Sequence, residues 1–237
     1  MRRKNAWTTY NKKQLDELEK LCKNYLKFLD KGKTERECVK QIVKQAEEKG
    51  YVNLADITKD KKALKAGDKV YSVCMDKTVA LFQIGKKKLE KGMNILGAHI
   101  DSPRMDVKQN PLYESEEFAY LDTHYYGGIK KYQWVTLPLA LHGVVVKKDG
   151  TVITVNVGED KNDPVFCVTD LLIHLAGEQM EKKANKVIEG ENLDVLVGSK
   201  PLEGKEKDAV KEGILEILKE KYDMTEEDFM SAEIEVV

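Results

Sequence analysis

"NILGAHIDSPRMDVK", Asn94 to Lys108, decides the fold. "MNILGAHI" reads as a short strand suited to burial on both faces, and His99 ends it. In open α/β sheets, functional groups gather at the carboxyl ends of strands. Asp101 follows two residues on, so in extended chain its side chain shares a face with that of His99. Pro103 keeps Ser102 away from helical geometry and holds the segment extended. A histidine and a carboxylate so placed suit a zinc site, where three or four protein ligands leave a position for water. Asp101 would either ligate directly or hydrogen-bond the imidazole and fix its tautomer. His-x-Asp alone is equally compatible with a structural histidine.

Upstream, Leu15, Leu18, Leu21, Cys22, Tyr25, Leu26 and Leu29 make one helical stripe between Asn11 and Lys31, and Gly32 stops it. Thr34 opens a capping box with Glu37, and a second helix carries Cys38, Ile42 and Ala46 towards Gly50. "KVYSVCM" and "TVALFQIG" flank Asp76-Lys77 as a hairpin. Helices first and strands afterwards predict an α/β or α+β layer with a mixed sheet. From about Met105 the texture is β-rich, with Asp149-Gly150 as the turn between "GVVVKK" and "TVITVNV". Asp170 is expected to cap a short helix, "LLIHLAGEQMEKKA", with Leu171, His174 and Leu175 on its apolar face. "EGENLDVLVGS" reads as strand or loop, "EKDAVKEGILEILKEKY" as a helix and Met224 to Phe229 as a helical turn. "SAEIEVV" reads as a strand, and one ending on bare Val236-Val237 is a pairing hazard at a sheet edge. A chain stopping in mid-strand suggests a longer protein; an ordinary docked terminal strand is the alternative.

The 237 residues include 40 basic and 41 acidic side chains, a net charge of -1 that gives no electrostatic reason for a nucleic-acid partner. The lysine runs "KDKKALK" and "GKKKLEKG" read as solvated loops. Cys22, Cys38, Cys74 and Cys167 form no CxxC pair, which argues against a thiolate zinc site and fits buried thiols in a reducing compartment. The basic start "MRRK" leads into no apolar signal region, and no run approaches the roughly 18 apolar residues of a membrane span. A cytoplasmic location is the expectation.

"NILGAHIDSPRMDVK" resembles the first metal-ligand segment of the aspartyl aminopeptidases, zinc metallopeptidase family 18. "YLDTHYYGGIKKYQW", "LPLALHGVVV" and "DPVFCVTDLLIHLAGEQM" resemble consecutive blocks of that family in the same order, and the opening helices fit. The resemblance implies a phosphorylase/hydrolase-like zinc peptidase domain of α/β class, incomplete here, over residues 1–104, with an inserted β-rich dimerisation domain over 105–237. It implies an aminopeptidase that removes N-terminal residues from peptides, acidic ones in the best-known members. It further implies two zinc ions, other divalent metals being possible, and a subunit that builds a homo-oligomeric dodecamer from dimers. His99 matches the first zinc-ligand histidine and Asp101 the aspartate that orients it. The remaining ligands and the glutamate base of the family lie downstream of the matched region, so this chain is expected to be inactive alone.

His124 precedes "YYGG", in a loop that the resemblance places near the subunit interface. Some family members carry a histidine where Asp170 stands, reaching into a partner's active site. An aspartate there would repel an acidic substrate side chain or pair with a basic one. His142, in an apolar strand, and His174, on the apolar face of its helix, read as structural. Two other readings stand beside the enzyme. One is a short, non-catalytic relative serving as an oligomerisation module. The other is a single-metal hydrolase, such as a deacetylase, with His124 as second ligand.

Overall fold

The computed structural model describes residues 3–60 and 62–237; the first two residues of the basic start, and Lys61 within the first lysine run, lie outside it. The chain divides into two compact units, Met1–Asp101 and Ser102–Val237.

In the first unit, α1 (Lys12–Lys31) starts on an Asn11–Gln14 capping box and α2 (Glu35–Glu48) on the expected Thr34–Glu37 box. Each box satisfies backbone N–H groups that a helix start leaves without partners. Gly32 joins the two helices where space is short: a Cβ there would lie 2.9 Å from Cys38 Sγ. α2 buries Cys38, Val39 and Ala46. It packs on a three-stranded sheet of β1 (Val52–Asn53), β2 (Lys69–Cys74) and β3 (Thr78–Gln83), with α3 (Leu54–Lys59) following β1. β1 and β2 run parallel, and β2 and β3 antiparallel, so the sheet is mixed and the Asp76-Lys77 hairpin forms. The apolar stripe of α1 folds as a helix but has no buried residue; Leu21, Tyr25 and Leu26 are exposed.

The expected strand at "MNILGAHI" does not form. Residues 93–103 have no regular structure, and Ile95 and Leu96 are 84% and 101% exposed. An apolar run becomes a strand only where neighbours accept its N–H and C=O groups. Among the described residues no strand lies alongside it.

The second unit is a seven-stranded antiparallel sheet. Its strands are β4 (Arg104–Ser115), β5 (Phe118–Tyr126), β6 (Leu141–Val146), β7 (Val152–Val157), β8 (Cys167–Val168), β9 (Val195–Gly198) and β10 (Ala232–Val236). Their order is β7-β6-β10-β4-β5-β9-β8. β10 is therefore an interior strand, hydrogen-bonded on both sides, so the edge hazard at Val236-Val237 does not arise. The β6–β7 hairpin turns at Gly150, whose φ of +86 suits glycine, and the Thr151 N–H donates to Asp149 Oδ1 at 2.9 Å. Gly143 is needed for a closer reason: a Cβ on it would lie 2.0 Å from the Glu233 carbonyl of β10. α5 (Ala209–Tyr222) covers the core of Met105, Val145, Leu193, Val195 and Val236, all fully buried.

The helix expected after Asp170 is mostly absent. Only α4 (Gly177–Met180) is helical, and Leu171, Leu172, Ile173 and Leu175 are exposed. A short segment with glycine at position 177 gains too little from its own hydrogen bonds to offset nucleation without a face to pack on. His174 is accordingly exposed rather than in a core.

Candidate functional site

His99 and Asp101 lie together at the end of the first unit. His99 Nδ1 is 2.9 Å from the Asp101 backbone oxygen and 3.4 Å from Asp101 Oδ1. With Nδ1–H as the donor, the ring is held through one nitrogen and Nε2 carries the lone pair. That is how metal-binding imidazoles are normally held from behind. The imidazole is 84% exposed and the aspartate 41%, so the ring stands open to a ligand. The pair fits zinc as one ligand with its orienting group. Among the described residues, no group of three or more His, Cys, Asp or Glu side chains assembles to hold a metal.

His124 lies on β5 opposite Asp106 of β4, exposed, with its ring stacked 5.4 Å from that of Tyr125. Asp170 is exposed, and its Oδ1 accepts from the Leu171 N–H and from Gln179 Nε2, both at 2.8 Å. His142 is buried in β6, with Nε2 3.2 Å from Glu159 Oε1.

One cluster escaped the reading of the sequence. The buried Arg104 donates from Nε to Asp106 Oδ1 at 2.7 Å and lies 3.1 Å from Glu235 Oε2, with its guanidinium 4.6 Å from the Tyr126 ring centroid. Glu235 pairs in register with Asp106 on one side and His142 on the other. The row therefore crosses β4, β10 and β6. Its signal was present: Arg104 and Asp106, and likewise Glu233 and Glu235, are two apart and share a strand face. Elsewhere on the sheet the Tyr113 hydroxyl donates to Asp194 Oδ2 at 2.6 Å. Burial raises the Asp194 carboxyl above its ordinary value, with the Asp122 charge adding and the Tyr113 bond opposing.

The family model "Aminopeptidase I zinc metalloprotease (M18)" matches residues 28–237. The chain belongs to the M18 aminopeptidase family. The probable M18 family aminopeptidase 1 of Clostridium acetobutylicum is 60% identical over 235 residues, covering 99% of this chain and 50% of that protein. The crystal structure of the Thermotoga maritima M18 aminopeptidase is 46% identical with a TM-score of 0.92, over 100% of this chain and 50% of that one. The S. cerevisiae mApe1 dodecamer shares the fold at 18% identity and a TM-score of 0.63, over 93% of this chain and 48% of that one. The chain spans about half the length of the M18 relatives it matches. Among the described residues, no helix is long and apolar enough to cross a membrane.

Proposed function

We propose that the chain forms part of a zinc aminopeptidase that hydrolyses N-terminal residues from peptides, with His99 as a zinc ligand and Asp101 as its orienting carboxylate. The observation that carries this reading is the continuous match of residues 28–237 to a zinc metalloprotease family. Zinc, where bound, supplies Lewis-acid activation of water and of the scissile carbonyl. This chain's part is to hold the imidazole: His99 Nδ1–H donates to the Asp101 backbone oxygen, with the Asp101 carboxylate 3.4 Å away, and Nε2 is left to coordinate. The other ligands, the second zinc ion and the base are assigned to sequence beyond this half. The 237 residues alone are then inactive.

Residues 1–104 are assigned to the peptidase domain and 105–237 to subunit pairing. The shared fold with a dodecameric relative supports a homo-oligomer. Acidic N-terminal residues are the proposed preference, although Asp170 would work against it wherever its loop meets substrate. Cysteines spread along the chain without a CxxC pair fit the reducing cytoplasm. His124 and Asp170 are assigned to the interface between subunits.

The test compares protein of the relatives' full length with its His99→Ala and Asp101→Asn variants. Zinc content and hydrolysis of glutamyl and lysyl p-nitroanilides are measured for each. His99→Ala should abolish activity, and Asp101→Asn should weaken zinc binding by about 10–100-fold. Full zinc content and turnover in His99→Ala would sink the assignment. Two tightly held zinc ions in the 237-residue chain would contradict the division of ligands.

A further inference from the structure

The second unit holds a cavity of about 160 Å³ beneath α5. Leu121, Val155 and Ile234 line it from the sheet, Ile214 and Leu218 from the helix, and Phe229 from the turn before β10. Lys221 and Tyr222 contribute the only polar side chains of this lining. A buried water needs two to four polar partners, and an apolar void of about 150 Å³ lined by Leu, Ile and Phe stays dry and admits benzene. Burial is also the main cause that raises the Tyr222 hydroxyl above its ordinary pKa, followed by the Asp163 charge, as expected beside a space of low polarity. Ile217 of α5 lines the cavity and is 49% exposed, so the cavity lies close to the surface and a ligand has a short way in.

We infer that this cavity is a binding site for a small, uncharged apolar molecule, the size of a single aromatic ring or a short alkyl chain. A ligand there removes apolar surface from water without leaving a buried polar group unsatisfied. It would also fill contacts now missing between α5 and the sheet. A charged or strongly hydrogen-bonding ligand of the same size meets only Lys221 and Tyr222 as polar side chains against an otherwise apolar lining, too few to replace its lost hydration. The site is independent of the zinc chemistry proposed above.

The experiment titrates benzene into the whole 237-residue chain, following methyl resonances by NMR and the melting temperature. Saturable shifts confined to methyls such as those of Leu121, Val155 and Ile234 are expected. The melting temperature should rise by about 3–6 °C at ten times the Kd. Val155→Phe, which puts a ring into the space, should lose both responses. Absence of saturable shifts at these methyls in the unaltered protein overturns the inference, whether or not the variant folds. So does an equal rise in melting temperature in a folded Val155→Phe protein, which would locate the benzene elsewhere.

Discussion

Arg104 holds two carboxylates with one guanidinium: Asp106 at 2.7 Å and Glu235 at 3.1 Å, where the Glu235 side chain is 4% exposed. Such a group is best judged by removal, because a buried carboxylate stripped of its cation is costly while the intact pair adds little net stability. Arg104→Met should therefore lower stability by about 3–5 kcal/mol, read from the denaturant midpoint. Adding Glu235→Gln should restore part of that loss. A double variant no more stable than the single one would mean that the pair is not the cause. Asp194 makes a prediction of opposite character. Its folded pKa lies above the ordinary 3.8, so the folded state binds this proton more tightly than the unfolded chain does. The resulting stability is fully present below the unfolded value and is lost as pH rises through the folded one. Asp194→Asn should remove a downward slope in stability beginning just above pH 3.8. Parallel stability curves for the two proteins as pH rises above 3.8 would refute this.

At the scale of elements, α5 has no side-chain cap of its own, since Asp208 before it adopts φ +49 and makes no capping bond. Glu114 of β4 does that work from 96 positions away in sequence, accepting from the Val210 and Lys211 N–H groups at 2.8 and 2.9 Å. Glu114→Ala should cost about 1–2 kcal/mol, the range for a lost cap next to a helix dipole, and should increase amide exchange in the first turn of α5. Unchanged exchange there would deny the role. A cap of this kind cannot be seen in local sequence, and the same limit explains the rest of what was and was not legible. The Thr34–Glu37 capping box, the Asp149-Gly150 turn and alternating hairpins are written within a few residues, and they formed as expected. Burial of "MNILGAHI", the helix after Asp170 and the interior place of β10 depend on partners remote in sequence. The contact between His99 and Asp101 formed as expected because two-residue spacing is itself local. Arg104 and Glu235 were missed because the sheet alone brings positions 104 and 235 together.

For the whole molecule, the two units differ in how much of themselves they bury. Residues Ser102–Val237 contain the large apolar core, whereas α1 of the first unit buries no residue at all. The polypeptide Ser102–Val237 should fold alone and unfold in one cooperative transition, monitored by circular dichroism and calorimetry. In the intact chain, amides of α1 and of residues 93–101 should exchange far faster than those of β4, β6 and β10. Slow exchange at Ile95 and Leu96 would mean that this apolar stretch is covered.

The interior position of β10 sets a timetable for synthesis. Until residues 232–236 have left the ribosome, the sheet is two pieces, β6–β7 and β4–β5–β9–β8, with no strand to join them. Each piece then presents an open edge, at β6 and at β4, and such edges recruit other chains. Nearly the whole second unit must wait, exposed to its neighbours in the cell, for five residues that arrive after all the others of the sheet.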